Sequence, residues 1–192
     1  MAPRKREPEV REKILDVATR LFDGHGVHAV GMQQIIDEFG CGKAMLYREF
    51  ATKDDLVVAY LERYTKSWDM VRDAAAEQHP DDPAAQLVAI VDHVGECATQ
   101  PGFRGCTVRN THAEFPDEGH PAHEISVAYY DRTRADLADL AKRAGAADPW
   151  TLADRLLLII DGLNASGAVR GDQGAARSAV EFARDVVRAA TG

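Results

Sequence analysis

The chain has 192 residues, 45% hydrophobic and 28% charged; this supports a real core in one domain, or in two small ones, and excludes wholesale disorder. The formal charge of −8 excludes a generally basic nucleic-acid coat. The charge is uneven: residues 1–55 carry nine Lys/Arg against ten Asp/Glu, and residues 56–192 carry 14 against 21, so only the first quarter is suited to face a polyanion.

The longest apolar run, Leu156 to Ile160, is too short to cross a bilayer. No apolar stretch follows Arg4-Lys5-Arg6, which argues against a cleaved secretion signal. Cys41, Cys97 and Cys106 are odd in number and widely spaced, so no disulfide framework is expected and a reducing cytoplasm fits.

Along the chain, sustained period-2 alternation is absent and helical spacing recurs, predicting an all-α fold of about nine helices. Val10, Ile14, Val17/Ala18, Leu21 and Phe22 form the first apolar stripe, with Pro8 tolerated in a first turn and Gly24 and Gly26 ending it. A second short helix spans Gln33 to Phe39, and a third Lys43 to Arg48, with the bend Gly40-Cys41-Gly42 between them. Thr52 and Asp55 form a capping box that opens a long fourth helix, which frays before Pro80. Leu87, Ile90/Val91, Val94 and Ala98 mark the fifth helix. A short sixth covers about 106–115, and Ile125, Tyr129, Leu137, Leu140 and Ala144 define a seventh of roughly 24 residues ending at Gly145. Pro149 starts the eighth, and the ninth covers about 173–190. The division expected is 1–52, three short helices, and 53–192, the long ones.

Three short helices with a glycine bend between the second and third are the pattern of a helix-turn-helix. In the third, Met45 and Leu46 can face inward. That leaves Lys43, Ala44, Tyr47 and Arg48 outside: a cation, a small residue, a phenol and a guanidinium, the groups a major-groove reader presents.

The stretch from Arg11-Glu12-Lys13-Ile14-Leu15 through Leu21-Phe22, Gly26, Ile35, Gly40, Leu46-Tyr47, Phe50 and Lys53 to Leu56 resembles the DNA-binding domain of the tetracycline-repressor (TetR) family. The resemblance implies a ligand-responsive transcriptional regulator, most simply a repressor, that binds a palindromic DNA operator as a homodimer and is released by a small, mostly apolar effector. It implies that Lys43, Ala44 and Tyr47 lie in or at the major groove and that Arg48 touches bases or a phosphate. Lys53, at a helix N-terminus, would bind a phosphate. Gln33 would meet the backbone, and Arg4, Lys5 and Arg6 would form an arm reaching the minor groove. Gly31-Met32 stands where the family usually has a Thr pair, and Cys41-Gly42 where it has Val-Ser, so two hydroxyl contacts are lost.

The same resemblance implies dimerisation through the last two helices. Gly162, Ala165/Ser166 and Val169, with Ala175/Ala176, Ala179, Ala183, Val186/Val187 and Ala190, put small residues at spacings that permit close helix approach. It also implies an effector pocket bounded by the middle helices, with Tyr64, Trp68, His93, Cys106, His112, Phe115 and Tyr129 as candidate ligand-binding residues and Tyr130 beside them. Gly105-Cys106, Asn110 and Glu114-Phe115 resemble a motif of one subgroup of these regulators. Cys106, near a helix N-terminus with Arg104 and Arg109 close in sequence, offers an alternative: a thiol-based redox or electrophile sensor. His93 and Cys97 share a helix face, but the Cys/His spacing matches no closed zinc motif, so neither metal nor cofactor is expected. A Cys/His enzyme is a remoter alternative, since no nucleophile elbow, phosphate loop or His-Glu-x-x-His is present.

Overall fold

A computed structural model describes residues 8–171 and 173–192. Among them the chain forms nine α-helices and no strand: α1 Pro8–His25, α2 Met32–Phe39, α3 Lys43–Glu49, α4 Lys53–Gln78, α5 Pro83–Ala98, α6 Thr107–Glu114, α7 Pro121–Arg143, α8 Pro149–Arg170 and α9 Gln173–Thr191. The all-α expectation holds.

Local chemistry fixes the ends. Thr52 and Asp55 close a reciprocal box: the Thr52 amide donates to Asp55 Oδ2 at 2.9 Å and the Asp55 amide to Thr52 Oγ1 at 3.0 Å. Asp82 and Asp148 cap α5 and α8, accepting from the Ala85 and Thr151 amides, with Pro83 and Pro149 in the first helical turn. α2 and α3 start on Gly31 and Gly42 with no side-chain cap, as the absence of hydroxyl residues there requires. Between them Gly40 has φ 73°, a left-handed conformation that a Cβ would strain, and its amide returns to Ile36 O at 2.9 Å.

The chain forms two compact units. The first holds the residues up to Tyr64 together with Thr107–Ser126, and the second holds Thr65–Cys106 with Val127–Gly192. In the first, α1 packs on α2 and α2 on α3, burying Ile14, Ala18, Phe22, Ile35, Leu46, Phe50 and Leu61. In the second, α5, α8 and α9 pack on one another around Leu87, Ile90, Leu152, Leu156, Val180, Ala183 and Val187. This packing boundary runs through α4 and places α6 with α1, so it does not follow the 52/53 line. Among the described residues no helix is long and apolar enough to cross a membrane.

Candidate functional site

The outer face of α3 carries Lys43, Ala44 and Tyr47, all exposed, and Tyr47 keeps 40% of its surface in solvent. Lys43 Nζ stands 5.7 Å over the Tyr47 ring, a spacing that ties cation and phenol into one patch. Leu46 is fully buried beneath them, while Met45 turns only partly inward. Arg48 sits on the flank, half-buried, and its Nε donates to Glu49 Oε1 at 2.9 Å. Gln33 is exposed on α2 and bonds Asp37 at 2.8 Å. Lys53 is half-buried at the start of α4. Burial pushes its pKa down, and Glu114 and Asp54 oppose that shift. Arg4, Lys5 and Arg6 lie outside the described residues.

Two carboxylates tie α6 to α1 and the loop after it, and neither was visible as such in the sequence. Asp23 on α1 accepts from Tyr60 Oη at 2.6 Å, from Tyr64 Oη at 2.5 Å and from Thr107 Oγ1 at 3.4 Å. Glu114, the last residue of α6, accepts from the Val27 amide at 3.0 Å and the His28 amide at 2.6 Å. His28 Nε2 donates back to the Glu114 carbonyl at 2.7 Å. Gly26 makes the approach possible, because at φ 85° a Cβ would be strained and would also sit 3.1 Å from Glu114 Oε1. Phe115 stacks between His28 and His120, with ring centres 4.6 and 4.3 Å away. Elsewhere on α1, Arg11 lies 4.2 Å over the buried Phe50 ring. A long-range tie between one acid and two amides has no sequence period, which is why it escapes pattern reading.

The candidate effector residues fall in both units. In the first, Tyr64 is held by Asp23, and burial, with that bond adding to it, raises its pKa to about 12. His112 packs on His123 at 4.7 Å, and Phe115 is buried. In the second, Trp68 is buried and its indole N–H already bonds Asp136 at 2.8 Å. Tyr129 is mostly buried, and desolvation lifts it to about 12. Cys106 is half-buried, one residue before α6, and Tyr130 is exposed. His93 corrects the expectation. It is exposed, because the stripe Leu87, Ile90/Val91 and Ala98 points into the core and leaves Asp92, His93 and Glu96 outside. Its Nε2 lies 3.6 Å from Cys97 Sγ, whose pKa burial and Glu96 push up rather than down.

The small-residue stripe of α9 divides in two. Ala176, Val180, Ala183 and Val187 are buried within the unit. Ala175, Ala179, Phe182 and Val186 instead line an open groove of about 810 Å³ with Leu158, Gly162 and Ser166 of α8. Leu158 is 70% and Phe182 59% exposed. The run Leu156–Ile160 carried the signal, since five successive helical residues cannot all face one core.

Residues 14–60 match the family of bacterial regulatory proteins described as the tetR family. An HTH-type transcriptional regulator of Staphylococcus aureus is 40% identical over 60 residues, and the match spans about a third of each chain. A TetR-family transcriptional regulator of Streptomyces coelicolor is 30% identical, with a TM-score of 0.91 over 97% of this chain and 98% of that one. A TetR regulator of Chloroflexus aurantiacus shares the fold at 20% identity, with a TM-score of 0.81 over 94% of both chains. With a helix-turn-helix matched in place and a relative similar along its whole length, this chain belongs to the TetR family of transcriptional regulators.

Proposed function

We propose that the protein binds a palindromic operator as a homodimer, with residues 1–52 reading DNA and residues 53–192 sensing an effector and dimerising, and that a small, mostly apolar molecule releases it. The observation that carries the reading is the outer face of α3, where Lys43, Ala44 and Tyr47 stand exposed above a buried Leu46. Lys43 and Lys53 supply charge for phosphates, and Ala44 lets the backbone approach the bases. A reader with so few cations per protomer binds weakly and with steep salt dependence. Two copies on one palindrome gain effective concentration, which makes dimerisation part of the mechanism. The exposed Leu158 and Phe182 at the α8/α9 groove support a second copy there, since large apolar residues in one contiguous patch mark interfaces.

Release requires an effector that binds the DNA-incompetent arrangement more tightly. The Asp23 and Glu114 ties give it a route: displacing α6 or α4 carries the α1–α2 loop with it. The purified protein should retard a duplex from its own upstream region. Lys43→Ala should abolish the retardation with the thermal transition unchanged, and an intact shift for Lys43→Ala with Tyr47→Ala would overturn the reading. Leu158→Glu with Phe182→Glu should sediment as a monomer and lose operator binding, while a thermal-shift ligand screen identifies the effector.

A further inference from the structure

Glu49 ends α3 with a side chain that is 0% exposed. Its Oε1 accepts from Arg48 Nε at 2.9 Å, whereas its Oε2 is buried with no hydrogen-bond partner among the described residues. A buried acceptor left open is costly and calls for an explanation. Adjacent residues on a helix do not face each other, so Arg48 must fold back along the end of α3 to reach this carboxylate. The contact takes only Nε. Both terminal amino groups of the guanidinium are without a partner among the described residues. Arg48 itself lies between the exposed face of Lys43, Ala44 and Tyr47 and the buried face of Leu46, Glu49 and Phe50, with 33% of its side chain in solvent. If the α3 face enters a DNA groove, a residue at that edge meets the groove's wall rather than its floor.

We propose that Glu49 is a positioning residue for operator binding. It grips Arg48 by Nε and aims the free edge of the guanidinium at a DNA phosphate. The inference rests on the reading that the α3 face meets DNA, and it assigns Arg48 to a phosphate rather than to a base. A guanidinium held by one nitrogen keeps the paired donors that a phosphate takes bidentately. Holding it in advance removes rotamer freedom that DNA binding would otherwise have to remove. The sign of the effect is diagnostic. By charge alone, a carboxylate beside a polyanion weakens binding, and its removal should tighten the complex. Positioning demands the reverse.

The test uses the full chain and a fluorescein-labelled duplex that the wild-type protein enriches from a random-sequence pool. Affinity is followed across a potassium chloride series. Glu49→Gln keeps the shape and an acceptor but loses the charge, and should weaken binding about tenfold. The slope of log affinity against log salt should fall by about one per protomer as the phosphate contact is lost. Arg48→Ala should weaken binding at least as much, and Glu49→Gln should add nothing on top of it. Arg48→Lys, which leaves Glu49 in place but has no Nε, should behave like Arg48→Ala. Glu49→Gln binding as tightly as wild type or tighter, an equal loss in the Arg48→Ala background, an unchanged salt slope, or an Arg48→Lys variant equal to wild type would each overturn the proposal. A wild type that enriches no duplex overturns the DNA reading itself, and the proposal with it.

Discussion

Both units have buried apolar cores, but the first also joins two distant stretches of chain. Single carboxylates add directional ties to that join: Asp23 takes hydroxyls from α4 and α6, and Glu114 takes the amides of Val27 and His28. The second is joined by apolar surface, with α5, α8 and α9 sharing one cluster from Leu87 to Val187. Apolar packing is spread over many contacts and tolerates small errors in each. A carboxylate tie is directional, and breaking it leaves unpaired donors behind.

The contrast can be broken first at the core. Leu156→Ala in the second unit should cost about 2–5 kcal/mol, because a fully buried leucine leaves a cavity the helices cannot fill. Urea denaturation followed by circular dichroism measures it, and a loss under about 1 kcal/mol would show that this cluster is not what holds the unit. Glu114→Ala should cost less, about 1–2 kcal/mol, by freeing two amides. Its signature is local: hydrogen exchange at Val27 and His28 should speed up at least as much as global stability falls, while the amides of α8 follow the global change alone.

How much of each unit was legible follows from the same contrast. Helix spacing, proline starts and glycine stops give the order and nearly the ends of every helix, because those signals are local. Thr52 and Asp55 were readable as a box for the same reason. The outer face of α3 followed from which residues Leu46 leaves outside. Periodicity did not divide the α9 stripe into its buried and exposed halves, since small residues run along both faces. The pocket implied by the resemblance took in His93, although the core stripe one step away leaves it at the surface. Asp23 and Glu49 gave no sequence signal and Glu114 stood out only within the subgroup motif, because what distinguishes these acids is a partner remote in sequence or a burial that the neighbouring residues do not announce.

The smallest effect at neutral pH isolates one join of the first unit, since Tyr129 of the second is also raised to about 12, but by desolvation and without Asp23. Burial, with the Asp23 bond and charge adding to it, raises the pKa of Tyr64 to about 12, and the same causes push Tyr60 up as well. A tyrosine raised in the folded state holds its proton after the unfolded chain has released its own near the ordinary value of about 10. Its contribution is therefore complete below pH 10 and falls as pH rises from there through 12. Urea midpoints taken between pH 9 and pH 12 should fall steadily above about 10. Asp23→Asn removes one cause of the rise while desolvation persists, so its midpoint should fall less steeply over the same window. The mutant should be the less stable protein at pH 8, and the gap should narrow by pH 12. Parallel curves for the two proteins would mean that Asp23 contributes nothing to holding those phenols protonated, and that the join at α1 depends on packing alone.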